Sequence, residues 1–245
     1  MSYFIFGGSG FIGTHLVTLI NNLYPGTPIY NLDIVENSHE GKSTYINCDV
    51  RSDINVDIPV TSEDVIFNFA AVHRTPGHPD QAYFETNIRG AENVCAFAEK
   101  FGIKKIVFTS SIAPYGAAED LKTEDTLPTP NTPYGISKLV AEKIHTVWQA
   151  KKPNERQLRP GVVFGKGENG NFTRLYWGIR GGKFFYPGRK DTIKACIYVK
   201  ELVRFMLYRL ENHNEGVELY NCTFEPAFTI EQIVETMKKV TGIQR

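Results

Sequence analysis

The chain has 245 residues, of which 42% are hydrophobic, and its 27 basic and 27 acidic side chains give a formal net charge of zero. This composition excludes disorder, which needs low hydrophobicity and high net charge, and it supports a sizeable core. Charge neutrality favours neither nucleic acid nor a membrane as partner, and we expect neither. The four cysteines lack CxxC spacing, so we expect no metal site or disulfide framework, and a cytoplasmic location.

Short apolar runs alternate with amphipathic segments over the first two thirds of the chain. Strands are predicted at 2–6, 28–32, 44–47, 65–69, 104–110 and 156–159, and helices at 11–22, 81–101 and 134–150. Runs such as 65–67 and 106–108 are continuously apolar, as central parallel strands buried on both faces are. The alternation predicts an α/β fold with a Rossmann-type doubly wound parallel sheet. The segment 54–59 lacks helical character, so we expect a short crossover without a helix there.

The sequence changes character after Arg159-Pro160. A glycine-rich, aromatic stretch at 165–190 predicts a loop-rich lobe. A strand at 193–199, a helix at 200–210, a strand at 217–221 and a helix at 229–241 are predicted to follow. We therefore expect a nucleotide-binding domain at 1–165 to which 191–222 returns, and a small C-terminal substrate-binding lobe formed by 166–190 and 223–245.

A glycine fingerprint follows the first predicted strand and opens the first helix. Gly7, Gly10 and Gly13 would allow the tight turn, the approach of backbone N–H groups to a pyrophosphate, and close packing of helix on sheet. The positive end of the helix would face the phosphates. Asp33 ends the second strand, where a carboxylate accepts hydrogen bonds from a ribose 2′-OH and repels a 2′-phosphate. These residues predict NAD as cofactor, in preference to NADP.

A tyrosine and a lysine are spaced four residues apart on a predicted helix. Tyr134 and Lys138 therefore share one face and can point into one cleft. A nearby cation lowers the pKa of a phenol, so we expect Lys138 to tune Tyr134 as an acid and base. Ser111 follows a strand end where α/β sheets bind ligands, and Ala70 and Ala71 leave room for a cofactor at another strand end.

These motifs, in this order, resemble the extended short-chain dehydrogenase/reductase family, and more narrowly its NAD-dependent epimerase/dehydratase branch of the UDP-glucose 4-epimerase type. The resemblance covers nearly the whole chain and implies a homodimer acting on a nucleotide sugar. It implies catalytic roles for Ser111, Tyr134, Lys138 and Asn87. The implied cofactor-binding residues are Gly7, Gly10, Phe11, Ile12, Gly13, Asp33, Asp49, Val50, Ala70, Ala71, Tyr134, Lys138 and Pro160. The implied substrate-binding residues are His73, Arg74, Ser111 and Lys194.

The family contains several reactions, and the residues do not choose among all of them. Dehydratase members carry an acidic residue directly after the active-site hydroxyl, whereas Ile112 follows Ser111 here, which argues against dehydration. We favour a 4-epimerase that works through a transient 4-keto sugar, in a pathway of polysaccharide synthesis. A 4-keto-sugar reductase or a related dehydrogenase, including the steroid type, remains open. A non-enzymatic NAD-binding regulatory protein is the remaining alternative, which the intact Ser111, Tyr134 and Lys138 disfavour.

Overall fold

A computed structural model of the protein describes residues 1–36, 42–73, 77–117, 119–151, 155–212 and 217–243. The chain divides into two compact units. The first unit comprises Met1–Arg159 with Val203–Asn221, and the second comprises Pro160–Leu202 with Cys222–Arg245.

The helices and strands of the described residues follow the predicted order closely. The strands are β1 Tyr3–Phe6, β2 Ile29–Asp33, β3 Thr44–Asn47, β4 Val65–Asn68, β5 Lys105–Thr109, β6 Glu155–Pro160, β7 Val162–Phe164, β8 Ile193–Lys194, β9 Cys196–Tyr198, β10 Val217–Cys222 and β11 Phe228–Thr229. The α-helices are α1 Phe11–Leu23, α2 Asp80–Tyr83, α3 Arg89–Phe101, α4 Pro133–Gln149, α5 Asn171–Arg180, α6 Val199–Glu211 and α7 Ile230–Thr241. A π-helical turn, Phe84–Ile88, joins α2 to α3, and a 3-10 turn, Ala113–Tyr115, follows β5.

A seven-stranded sheet has the order β10-β6-β5-β4-β1-β2-β3. Strands β1 to β6 pair in parallel along this order. The chain leaves β1 toward β2 and β3 and then returns to β4 on the other side of β1. The strand order therefore reverses between β1 and β4, and in such sheets ligands bind outside the carboxyl ends of the strands at this point. The Rossmann-type fold predicted from the sequence is confirmed.

The core of the first unit lies against the central strands. Phe4, Ile5, Ile66, Phe67 and Val107 have no solvent-exposed surface. Adjacent residues of a strand point to opposite faces, so both faces of β1 and β4 are buried. This explains why these strands are continuously apolar in sequence. The segment between β3 and β4 contains no helix among its described residues, which confirms the short crossover, and it still contributes Val50 and Ile54 to the core.

In the second unit, β7 pairs in parallel with β9, and β11 pairs antiparallel with β8. The expectation of an irregular lobe at 165–190 is wrong in one respect, because α5 occupies Asn171–Arg180. Its buried residue is Ile179, whereas Arg174, Trp177 and Arg180 are exposed. Gly178 and the aromatic neighbours obscured the helical period in the sequence.

The boundaries of the two units differ from the expected domains. The first boundary follows Arg159 rather than residue 165, and 191–202 belong to the second unit rather than returning to the first. The register of β7 with β9 accounts for this, since Val162 pairs with Cys196 and holds both segments together. The assignment of cofactor binding to the first unit and of substrate binding to the second remains a prediction. Among the described residues, no helix has the length and apolar character needed to cross a bilayer.

Candidate active site

The turn between β1 and α1 accepts only glycine at several positions. Gly7 has a φ of +75°, and a Cβ there would lie 2.7 Å from the backbone nitrogen of Ala70. A Cβ at Gly13 would lie 2.4 Å from the carbonyl oxygen of Gly8. These contacts explain the fingerprint physically: the turn packs against the end of β4, and α1 packs closely against the turn.

The amino terminus of α1 suits an anionic ligand. Gly10 is its N-cap, and within the described residues no side chain caps the helix and no acidic residue lies in its first turn. The first N–H groups of a helix, here those of Phe11, Ile12 and Gly13, have no partner within the helix and carry partial positive charge. The predicted diphosphate site therefore has the geometry that phosphate binding requires.

Asp33 lies at the carboxyl end of β2, next to the glycine turn. Its Oδ2 accepts a hydrogen bond from the Ser9 N–H at 3.0 Å, and its Oδ1 accepts one from the Val35 N–H at 3.2 Å. The side chain is partly exposed. A carboxylate so oriented can accept hydrogen bonds from ribose hydroxyl groups, as the sequence predicts.

Asp49 and Val50, predicted to bind adenine, face different surroundings. An Asp49 Oδ2 lies 2.6 Å from Arg51 Nη2, and the hydrogen bond from the Arg51 side chain lowers the pKa of Asp49. Val50 is buried, and a Cβ on Gly90 would lie 2.8 Å from its Cγ2. Val50 therefore packs against the start of α3, and its contact with a cofactor remains a prediction.

Asn87 fastens the segment after β4 to α4. Within the π-helical turn, its Oδ1 accepts a hydrogen bond from the Val72 N–H at 2.8 Å, and its Nδ2 donates to the Val72 carbonyl at 3.1 Å and to Ser137 Oγ at 2.8 Å. Ser137 Oγ in turn donates to the Tyr134 carbonyl at 2.8 Å. Asn87 thus connects the segment containing Ala70 and Ala71 to the helix of Tyr134, as a positioning residue. The π-helical turn, a feature common at functional sites, places it there.

Ser111 and Tyr134 lie together, as predicted. Thr132 caps α4 by accepting the Gly135 N–H at 3.0 Å. A Cβ on Gly135 would lie 2.7 Å from the Ala113 carbonyl oxygen, so α4 approaches the segment after β5 closely. The Ser111 side chain lies beside the Tyr134 hydroxyl. Burial raises the pKa of Tyr134, and the interaction with Ser111 opposes the rise.

Lys138 is buried, with 2% of its surface exposed. Its Nζ donates a 2.7 Å hydrogen bond to the Thr109 carbonyl and lies 4.3 Å from the centre of the Phe108 ring. Burial lowers the pKa of Lys138 to about 7, and the Glu142 carboxylate opposes this fall. The expected lowering of the Tyr134 pKa by Lys138 is not found, because burial determines the direction at both residues.

The sequence reasoning missed a buried ion pair behind Lys138. Arg159 Nη2 lies 2.6 Å from Glu142 Oε2, Arg159 Nε donates to Glu142 Oε1 at 2.8 Å, and the two side chains are 3% and 2% exposed. Arg159 Nη1 also donates to the Tyr115 hydroxyl at 2.8 Å. Glu142 follows Lys138 by one helical turn, so the i,i+4 spacing of two charged residues on an otherwise buried face could have indicated it.

The remaining predicted residues have less defined places. His73 is exposed, one residue beyond Val72, and Arg74 lies outside the described residues. Pro160 ends β6 and begins the second unit, where Lys194 lies on β8. At the end of β5, Thr109 Oγ1 and Ser110 Oγ are buried without a hydrogen-bond partner in the part of the chain that the structure describes. These two hydroxyl groups lie at the edge of the sheet where ligands bind.

The sequence and the fold are similar to those of known sugar epimerases. The family model described as "NAD dependent epimerase/dehydratase family" matches residues 3–223. The chain is 35% identical over 238 residues to an N-acetyl-alpha-D-glucosaminyl-diphospho-ditrans,octacis-undecaprenol 4-epimerase of Escherichia coli O157:H7, covering 96% of this chain and 71% of that protein. It is 28% identical to a UDP-glucose 4-epimerase of Bacillus subtilis strain 168, covering 99% of this chain and 83% of that protein.

A solved structure has the same fold. The UDP-glucuronic acid 4-epimerase of Bacillus cereus, in complex with NAD, superimposes with a TM-score of 0.84 over 99% of this chain and 83% of that chain. The sequence identity is 22%, so this likeness is evidence for the fold alone.

Proposed function

Because the chain belongs to the NAD-dependent epimerase/dehydratase family, we propose that it is an NAD-dependent 4-epimerase whose substrate is a sugar joined to a diphosphate. The observation that carries the proposal is that Tyr134 lies beside Ser111, with Lys138 one turn further along the same helix, buried and donating to the Thr109 carbonyl. This is the arrangement needed to exchange a proton with a sugar hydroxyl group.

The residues at the carboxyl ends of β1 and β2 fit NAD. The close approach at Gly7, the uncapped amino terminus of α1 and the carboxylate of Asp33 match the diphosphate and a ribose with a free 2′-hydroxyl. When bound, NAD supplies the acceptor and donor of the hydrogen at the sugar C4. Lys138 would bind the nicotinamide ribose, and Ala70 and Ala71 would contact the same cofactor.

Tyr134 would exchange a proton with O4 of the sugar in both directions. Burial favours the neutral form of the Tyr134 phenol, which suits donation to the 4-keto oxygen, and the interaction with Ser111 favours the phenolate that the reverse step needs. Ser111 would also hydrogen-bond the reacting oxygen. Glu142 favours the charged form of Lys138, whose ammonium group the Thr109 carbonyl holds in place.

The carrier of the sugar has two candidates. The Bacillus subtilis relative is named for a nucleotide sugar, and the Escherichia coli relative for a sugar on undecaprenyl diphosphate. Both share a sugar 1-diphosphate, so the first unit would meet the same reacting groups in each. We propose a nucleotide sugar as the substrate. A sugar on a polyprenyl diphosphate is the second candidate, and the 35% identity to the Escherichia coli relative over nearly the whole chain supports it.

We also propose a cytoplasmic homodimer that serves polysaccharide synthesis. The outer side of α4 supports the dimer, since Ile136, Val140, Lys143 and Val147 lie at helical steps of four, three and four, and Val147 is 63% exposed. Light scattering coupled to gel filtration measures the dimer directly.

The activity is tested by incubating the protein with NAD and, separately, UDP-hexoses and an undecaprenyl-diphosphate-linked N-acetylhexosamine, while the anomeric protons are followed by NMR. A second sugar appearing without net NADH would support the 4-epimerase. In a separate incubation with NADH and a 4-keto sugar, conversion with consumption of NADH would replace it by the reductase alternative, and NAD binding without any conversion would favour a regulatory protein.

A further inference from the structure

The charges of this neutral chain are unevenly distributed. Residues 166–194 contain seven Lys or Arg and two Asp or Glu, a net charge of +5. This segment lies in the second unit and includes α5. The overall charge of zero, which predicts no membrane partner, does not show this basic region. What the region can bind depends on how its side chains are arranged.

The outer side of α5 combines basic and aromatic side chains. Arg174, Trp177 and Arg180 follow one another at steps of three and are all exposed, Trp177 by 57%. The Arg180 guanidinium lies 5.2 Å from the centre of the Trp177 ring, and the centres of the Tyr176 and Trp177 rings are 5.1 Å apart. Ile179 packs inward. The large indole is thus exposed at the surface, beside the Arg180 guanidinium.

The loop after α5 extends this surface. The Lys183 N–H donates to the Gly178 carbonyl at 3.0 Å, and a Cβ on Gly178 would lie 3.8 Å from that of Phe184, so the loop folds back against the helix end. Lys183 is exposed, and Phe185 is 74% exposed. We call the surface formed by Arg174, Trp177, Arg180, Lys183 and Phe185 the basic aromatic face.

We propose that the basic aromatic face binds the surface of an anionic membrane. Tryptophan and phenylalanine side chains insert at the boundary between headgroups and acyl chains, while Arg and Lys remain among the anionic headgroups. The three cations of the face complement such a surface, and the segment 166–194 that contains them has a net charge of +5. A membrane location would also give access to sugars carried on lipid diphosphates, the class of substrate named for the 35% identical relative.

The binding is peripheral, reversible and electrostatic. Each Lys or Arg near an anionic bilayer strengthens binding about fivefold, and two exposed aromatic side chains add a smaller apolar contribution. Binding should weaken steeply with added salt, because the Debye length falls from about 10 Å at 0.1 M to about 3 Å at 1 M. The proposal does not depend on the proposed catalytic function, since membrane binding needs no turnover.

Vesicle co-sedimentation of the full chain tests the proposal. We expect binding to vesicles of 30% phosphatidylglycerol and 70% phosphatidylcholine, and none to pure phosphatidylcholine. Arg174→Gln with Arg180→Gln should lower the partition coefficient about 25-fold. The matched variant Lys100→Gln with Lys104→Gln, which changes two exposed lysines of the first unit, should bind like the wild type.

Tryptophan fluorescence locates the contact. Trp148 is 3% exposed and Trp177 57%, so a blue shift on adding anionic vesicles should come from Trp177 and vanish in Trp177→Phe. The proposal is overturned if the wild type stays in the supernatant with anionic vesicles, if both double variants lose binding equally, or if Trp177→Phe keeps the shift. Tighter binding to single-stranded RNA than to vesicles would also overturn it. Turnover of a soluble UDP-sugar, assayed separately, keeps any failure distinct from a failure of the catalytic proposal.

Discussion

Helices α4 and α5 both carry cations, but they place them in opposite environments. On α4, the inward-facing Lys138 and Glu142 are each 2% exposed, and both have specific neighbours in Thr109, Arg159 or the Phe108 ring. On α5, Arg174 and Arg180 are exposed and flank an exposed tryptophan.

Burial decides whether a charged side chain acts through a few specific contacts or through a general electrostatic field. A buried charge must be paired and hydrogen-bonded, so its position and its pKa are set by a few named atoms. Exposed charges are screened by salt and act together on a large partner. We therefore expect substitutions on α4 to change chemistry and stability strongly, and substitutions on α5 to change neither by much.

The largest effect is expected on the chemical step. Tyr134→Phe removes the proposed acid and base and should lower kcat by about 10²- to 10⁴-fold, while NAD affinity stays unchanged. Steady-state epimerisation and NAD titration measure the two quantities. Tyr83→Phe is the matched control, because the rings of Tyr83 and Tyr134 are 6.1 Å apart and we propose no proton transfer by the Tyr83 hydroxyl. A Tyr134→Phe protein with near-normal kcat would refute the role of the phenol.

Breaking the buried ion pair comes next. Glu142→Gln leaves the Arg159 guanidinium buried without its carboxylate and should lower the free energy of unfolding by about 3–5 kcal/mol. Adding Arg159→Met removes the stranded charge and should restore part of the loss. Urea denaturation of the two variants gives the comparison. If Glu142→Gln unfolds like the wild type, the pair does not stabilise the protein.

The titration of Lys138 predicts a pH dependence of stability. Its pKa of about 7 in the folded protein is lower than the value near 10.4 in an unfolded chain. Between these values the unfolded state binds one more proton, so this residue makes the free energy of unfolding rise with pH by about 1.4 kcal/mol per unit. Lys138→Met should flatten the dependence above pH 7 by that amount. Equal slopes in both proteins would mean that Lys138 stays charged.

A smaller effect is expected when the hydrogen bonds between α4 and the segment after β4, which contains Ala70 and Ala71, are removed. Asn87→Ala removes hydrogen bonds to Val72 and Ser137 and should cost about 1–3 kcal/mol of stability. The KM for NAD should rise because the segment after β4 loses its anchor. Asn21→Ala, which removes hydrogen bonds to the carbonyls of Val17 and Lys42, should also lose stability but leave the KM for NAD unchanged. Identical kinetics in the two variants would contradict a positioning role for Asn87.

The smallest effect is expected on α5. Arg180→Gln and Trp177→Phe change exposed side chains and should alter the free energy of unfolding by less than about 0.5 kcal/mol. Thermal and urea unfolding of each variant measure this. A loss above about 2 kcal/mol would show that the basic aromatic face is part of a packed structure, and the comparison of α4 with α5 would then fail.

The first unit could be predicted from sequence because its central strands are buried on both faces. Phe4 to Phe6 and Val65 to Phe67 read as continuous apolar runs, and Gly7 to Gly13 mark the turn that follows. The meeting of Ser111 and Tyr134 was predictable too, since one follows a strand end and the other begins a helix. The assignment of roles to these residues remains a prediction.

Other features required the three-dimensional structure. The ion pair of Glu142 with Arg159 joins residues 17 positions apart, so the spacing of Lys138 and Glu142 on α4 marks a buried charge but does not identify its partner. The direction of the Tyr134 and Lys138 pKa changes depends on burial, which sequence spacing does not measure. Helix α5 was missed because Gly178 and its aromatic neighbours disturb the helical pattern. The helix places Arg174, Trp177 and Arg180 together on its exposed side, and the sequence without the helix does not show this.

We propose that the protein inverts C4 of a sugar diphosphate by removing and returning the same hydrogen. The most direct measurement follows a substrate epimer labelled with deuterium at C4, incubated with the protein and NAD in ordinary water and analysed by NMR and mass spectrometry. We expect the product epimer to retain deuterium at C4 and no NADH to accumulate. Product carrying protium at C4, or NADH formed in proportion to turnover, would contradict it.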